Sequence, residues 1–218
     1  MRKITALVLA TCLSIPWIGS AAFADESSNT VVLNTYFEED FNSVETGGTT
    51  SSFEEYVLGS NKIYVAENPD AADKSLCFDS VGASSKTSSR AVLNTGRAEG
   101  SIAVDFDVCL TGESNEFRIY VVSYTKGEKY LAKIIGTNLL TPSGSIIAPL
   151  TPGTFYPVTI IVHTETSTAD YYVNNRKKVS GVQFYDKNLE AFDLLRFYQF
   201  NDSTNQTRTY IDNVKVYE

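Results

Sequence analysis

Three stretches of the chain set aromatic and cationic side chains at every second residue, the spacing that puts them on one face of an extended strand. In Glu116–Tyr124, Arg118, Tyr120, Val122 and Tyr124 share one face, and Phe117, Ile119 and Val121 take the other. In the stretch that ends at His163, Thr159, Ile161 and His163 lie opposite Val158, Ile160 and Val162. In Leu195–Phe200, Leu195 and Phe197 suit a core, while Arg196 and Tyr198 point away. If these strands share a concave sheet, Arg118, Tyr120, Tyr124, His163, Arg196 and Tyr198 line one groove. Tyrosine rings stack on the apolar faces of sugar rings, and arginines grip carboxylates or hydroxyls with a planar fork. That set suits an acidic polysaccharide.

The elements that must carry these residues are strands. From Tyr36 onward, short runs rich in Tyr, Val, Ile, Phe and Thr alternate with Gly, Asn, Ser, Thr and Pro. Strands are predicted at Tyr36–Phe41, Phe53–Tyr56, Lys62–Val65, Ser75–Asp79, Ser89–Leu93, Ser101–Leu110 and Glu116–Tyr124. Others are predicted at Lys129–Thr137, Ser145–Pro149, Phe155–Thr164, Thr168–Asn174, Lys177–Val182, Leu194–Asn201 and Thr207–Tyr217. In Ile102–Val108 every second residue is apolar and Asp105 and Asp107 fall between, so one face is buried and one is wet. Lys187–Phe192 allows one helical turn. The pattern predicts an all-β sandwich or barrel. There is no internal repeat and no linker that would divide it.

The N-terminus reads as an export signal. Arg2 and Lys3 precede an apolar run, Ile4 to Ile18, and Ala22-Phe23-Ala24 supplies the small residues read by a signal peptidase. The run is too short for a membrane span and contains Pro16; a lipoprotein acylated at Cys12 ranks below cleavage. The expected organisation is a signal peptide at 1–24, a flexible segment at 25–34 and one domain at 35–218. Cleavage after Ala24 leaves 194 residues, removes Arg2 and Lys3, and takes the net charge from −8 to −10. Such an acidic chain argues against nucleic acid and anionic membrane as partners, and it leaves carboxylates for calcium. Trp17 and Met1 leave with the signal, so any stacking on ligand falls to tyrosine. The expected product is secreted, extracellular and monomeric. Cys77 and Cys109 sit in predicted strands beside core positions; a disulfide is permitted outside the cytoplasm, and two separate thiols are the favoured alternative.

The C-terminal half carries a recognisable pattern: Phe155-Tyr156-Pro157-Val158-Thr159-Ile160-Ile161-Val162, then Tyr171-Tyr172-Val173-Asn174-Asn175, Leu194-Leu195-Arg196-Phe197 and Tyr210-Ile211-Asp212-Asn213-Val214-Lys215-Val216-Tyr217. With Glu39-Asp40-Phe41 and Lys74-Ser75-Leu76, it resembles the concanavalin A-like (laminin-G-like) jelly-roll domains of bacterial secreted polysaccharide-associated proteins. The resemblance covers roughly residues 36 to 218. It implies a two-sheet antiparallel jelly-roll β-sandwich and contact with a glycan or cell-surface polymer.

Two further expectations follow from the resemblance. Such domains often hold a structural calcium between their first and last strands, which here brings in Glu39, Asp40 and Asp212; the alternative is that Asp212 bonds backbone and Glu38 and Glu39 are solvated. Polysaccharide lyases of this fold use a His or Tyr base, a Tyr acid and an Arg or Gln on the uronate, roles open to His163, Tyr198 and Arg118. The Gln-x-His pair of those lyases and the E-x-D-x-x-E strand of the glucanases are both absent. A non-catalytic carbohydrate-binding module is therefore expected, ahead of an extracellular surface or protein-interaction domain and, third, a lyase-like enzyme.

Overall fold

The structure is a computed structural model that describes residues 34–68, 73–80, 87–184, 188–201 and 206–218. The expected signal peptide and nearly all of the segment 25–34 lie outside the described residues.

Among the described residues fifteen strands form. In chain order they are β1 (Thr35–Glu39), β2 (Glu54–Leu58), β3 (Lys62–Glu67), β4 (Lys74–Ser80) and β5 (Thr87–Ala98). Then come β6 (Ser101–Leu110), β7 (Ser114–Ser123), β8 (Gly127–Gly136), β9 (Asn138–Leu140) and β10 (Ile146–Pro149). The last are β11 (Tyr156–His163), β12 (Thr168–Val173), β13 (Arg176–Gln183), β14 (Phe192–Asn201) and β15 (Thr207–Tyr217). The first sheet runs β13-β12-β11-β6-β15-β4-β3, with β1 also on β15. The second runs β10-β9-β8-β7-β14-β5-β2. The result is the expected all-β, two-sheet antiparallel sandwich.

Only β9 escapes the sequence pattern: three residues are too few to show an alternation. It follows β8 through Gly136-Thr137, where Gly136 has φ +60°. The expected one-turn helix does not form over residues 188–191, and Phe192 already belongs to β14. Local chemistry explains the β12–β13 hairpin well. Val173 pairs with Arg176, and Asn174 and Asn175 between them have φ +52° and +58°, the two left-handed residues of a turn whose twist suits a hairpin.

The alternating faces meet between the sheets. Ile102, Val104, Phe106 and Val108 of the first sheet face Phe117, Ile119, Val121, Leu195 and Phe197 of the second, all at most 1% exposed. Phe106 and Phe197 pack edge to face at 5.5 Å across the interface, a ring geometry that adds to what area burial alone contributes. Two hydrogen bonds also cross it: Tyr171 Oη donates to the Leu131 carbonyl at 2.7 Å, and Thr209 Oγ1 donates to Gln199 Oε1 at 2.8 Å.

Cys77 and Cys109 are not joined. Each pairs with Tyr210 from an opposite side, Cys77 on β4 and Cys109 on β6. Two strand spacings are about 9.5 Å, beyond the ~4.4–6.8 Å between Cα atoms that a disulfide bridges. Both thiols are buried with Tyr210 on the outer face of the first sheet.

Candidate functional site: the outer face of the second sheet

Register builds one continuous row across five strands of the second sheet. Tyr56 on β2 pairs with Arg90 on β5, Arg90 with Tyr198 on β14, Tyr198 with Arg118 on β7, and Arg118 with Lys133 on β8. Four strand spacings make it about 19 Å long, enough for several sugar rings. The next row holds Arg196, Tyr120 and Tyr130. A β-bulge between Ile119 and Tyr120 sets Tyr120 opposite Tyr130, and their rings stack at 5.1 Å with 24° between planes.

Four of the six sequence-predicted groove residues, Arg118, Tyr120, Arg196 and Tyr198, therefore share this face. Two of these arginines have carboxylate partners within the protein. Arg118 donates Nε and Nη2 to the two Glu116 oxygens, both at 2.8 Å, and Nη1 to Tyr120 Oη at 3.0 Å. Its fork is filled by the protein, and the bonds to Glu116 hold the guanidinium further up than usual. Arg196 is ion-paired with Glu128. Tyr124 lies one residue beyond β7, 70% exposed, at the rim; its N–H donates to Asp193 Oδ2 at 2.8 Å. Burial pushes the Tyr120 hydroxyl up against the opposing effect of Arg118, and burial also pushes up that of Tyr130.

His163 is the correction. It ends β11 in the first sheet, on the opposite side of the sandwich. Period two gave its side of its own strand and not which sheet the strand joins. There Ser101 Oγ lies 2.9 Å from His163 Nδ1, and Asp170 Oδ1 is 4.0 Å from Nε2. The order resembles a nucleophile–base–carboxylate triad, but 4.0 Å is no hydrogen bond. The Asp170 oxygens are taken by Lys177 Nζ at 2.9 Å and the Gly181 N–H at 2.8 Å. The neighbouring Gly100 N–H is spent on Thr164 Oγ1, so it offers no donor to a developing oxyanion.

Sequence reading missed Tyr56, Arg90, Tyr130 and Lys133. Among the described residues Arg90 and Lys133 have no carboxylate partner, in contrast to Arg118 and Arg196. Arg90 Cζ lies 4.2 Å from the Tyr56 ring centre, and Lys133 Nζ 5.9 Å from that of Tyr130. The signal for Arg90 was present as the alternation Ser88, Arg90, Val92 against Ser89, Ala91, Leu93. The first sheet's outer face has the opposite charge: a cavity of ≈ 250 Å³ there is lined by Glu38, Glu39, Asp40, Asp105 and Asp107 with Lys215.

The expected calcium trio is not assembled. β1 does lie along β15, with Glu39 opposite Val214. Yet Glu39 Oε1 accepts the Phe41 N–H at 3.0 Å, and its Oε2 accepts the Thr50 and Ser52 hydroxyls. Asp40 Oδ1 accepts the Asn42 N–H at 3.1 Å. Among the described residues no three His, Cys, Asp or Glu side chains form a metal-holding group, and calcium needs six to eight oxygens. Asp212 is 2% exposed and accepts the Asn213 N–H at 2.7 Å and Asn68 Nδ2 at 3.3 Å. Burial pushes its carboxyl up to about 7, and Asp73 and Asp107 add to the rise. Asn68 Oδ1 is buried without a partner.

No protein-family model matches the chain, and no curated protein matches its sequence. Solved structures match its fold. A sialidase superposes with a TM-score of 0.69 at 11% identity over 84% of this chain, which spans only 18% of that one. An alginate lyase in complex with alginate tetrasaccharide gives 0.56 at 12% identity, covering 82% of this chain and 95% of that one. A botulinum neurotoxin type C structure, described as dependent on two ganglioside molecules for cell entry, gives 0.52 at 11% identity over 84% of this chain and 47% of that one. The chain carries the concanavalin A-like jelly-roll fold.

Proposed function

We propose that this chain is a secreted, non-catalytic carbohydrate-binding module whose ligand lies across the outer face of the second sheet. The single observation that carries the reading is the row Tyr56–Arg90–Tyr198–Arg118–Lys133, backed by the Tyr120–Tyr130 stack. Aromatic faces beside cations suit sugar rings that bear acid groups. The alginate lyase solved with alginate tetrasaccharide lends support by fold.

Several features favour binding over catalysis. A lyase base must give up its proton near neutrality, and the Tyr56, Tyr120 and Tyr130 hydroxyls are all pushed up. The carboxylates of Glu54, Glu116 and Glu128 are engaged by Tyr56, Arg118 and Arg196. The one histidine of the sequence is on the other sheet. Export through a signal peptide cleaved after Ala24 belongs to the same reading, and N-terminal sequencing of secreted protein tests it.

The test of function is a polysaccharide panel read by gel retardation and by absorbance of unsaturated products. Retardation without product is expected. Product formation makes the chain a lyase. Neither signal on any glycan leaves the protein-interaction reading, which Leu58 and Ile146 favour, 64% and 62% exposed on the two edge strands of the second sheet.

We also propose that a structural calcium is centred on Asp212, with Asn68 Oδ1 as a second oxygen, and not on the trio with Glu39 and Asp40. The buried, unpartnered carbonyl oxygen beside a desolvated carboxyl supports this.

A further inference from the structure

We propose that Arg90 is the carboxylate-recognising position of this face, so that the glycan it takes is a uronate-bearing chain. This rests on the glycan reading above and adds the feature of the sugar that is read.

Four cations stand on the face, and two are already neutralised at short range: Arg118 by Glu116 and Arg196 by Glu128. Arg90 is not. It donates no hydrogen bond to any described residue, and its Nε is buried without an acceptor. A charged donor left without a partner is costly, and a ligand carboxylate that takes the outer N–H groups of the guanidinium offsets part of that cost. The guanidinium lies 4.2 Å over the Tyr56 ring, which fixes it before any ligand arrives. It lines a pocket of ≈ 180 Å³ with Tyr56, Leu58, Ser88 and Tyr198.

The chemistry of that pocket selects its occupant. Tyr56 is 47% exposed and Leu58 64%, giving an apolar floor for the face of a sugar ring. Beside it, a fork of N–H donors matches the two oxygens of a planar carboxylate. Glu54 is the nearest acid by register on the same face, and its carboxylate already accepts the Tyr56 hydroxyl at 2.9 Å. The acidic cavity on the opposite sheet steers a polyanion toward this side of the molecule.

The experiment measures affinity electrophoresis of the full exported chain in polygalacturonate, in its carboxyl-reduced counterpart and in a sulfated neutral glycan. The wild type is expected to bind polygalacturonate at least tenfold more tightly than the reduced polymer. Arg90→Gln should bring the two to parity, with the larger loss of affinity falling on polygalacturonate. Arg90→Lys, which keeps charge but loses the fork, should recover less than half of the preference. Parity in the wild type, a preference that survives Arg90→Gln, or tighter binding to the sulfated glycan overturns the proposal while the glycan reading stands. Binding to none of the three and to nothing in the wider panel overturns both.

Discussion

Tyr120 and Tyr130 stand ring over ring on the second sheet, 5.1 Å between centroids, although they belong to neighbouring strands that slip by one residue beside them. The bulge that causes the slip sets the two rings against each other beside the Arg118–Glu116 pair. The sheet thus holds the two rings in a fixed mutual arrangement.

Removing that surface should weaken binding and spare the fold. Tyr120→Ala and Tyr198→Ala remove half-buried rings from an outer face, not from the core. An aromatic contact of this kind contributes about 1 kcal/mol, so each variant should bind the best glycan of the panel roughly five- to tenfold more weakly, read by affinity electrophoresis. Melting midpoints should stay within a few degrees. Unchanged affinity in both variants would move the ligand off this sheet.

His163→Ala provides the matching control. The side chain lies on the first sheet with Ser101 and Asp170, away from the tyrosine row. Glycan affinity should therefore be that of the wild type. A fluorophosphonate probe should label Ser101 no faster in the wild type than in His163→Ala. Rapid labelling that needs His163 would show that the imidazole activates the serine despite the engaged Asp170.

The carboxyl groups of Asp212 and Glu55 predict how stability depends on pH. Burial raises both to about 7 in the folded chain, from ordinary values of 3.8 and 4.5. Below about pH 4 folded and unfolded chains both hold these protons. Between there and pH 7 the folded chain binds more of them, so stability falls as pH rises, and the loss is complete above pH 7. Asp212→Asn should raise the midpoint at pH 8 in the presence of chelator and leave it unchanged at pH 4. Added calcium should raise the wild-type midpoint at pH 8 and not that of Asp212→Asn. A wild-type midpoint indifferent to calcium removes the ion from Asp212.

The two strand thiols should behave as buried, reduced cysteines. Burial pushes the Cys77 thiol up to about 12, so it is no thiolate at neutral pH. Without reductant, iodoacetamide should leave Cys77 and Cys109 unmodified in folded protein and alkylate both after unfolding, as mapped on peptides. A Cys77–Cys109 disulfide peptide would contradict the strand order that places Tyr210 between them.

How much of this was legible beforehand follows from the range of each physical signal. The sequence by itself determined the strands and their buried faces. Ile102–Val108 alternates because successive side chains of a strand leave on opposite sides, and a sandwich buries only one of them. The Asn174-Asn175 turn was equally readable, since its two left-handed residues are a local requirement met by local chemistry. Alternation also put Arg118 with Tyr120, and Arg196 with Tyr198, on shared faces. It is silent about which strand lies next to which. Only the tertiary structure brought Arg90 between Tyr56 and Tyr198, sent His163 to the other sheet, filled the fork of Arg118 with Glu116 and set Asp212 beside Asn68. Those relations depend on pairing between segments distant along the chain. The entropy of closing such loops changes slowly with their length, so spacing in sequence selects no partner, and the packing of the whole sandwich does.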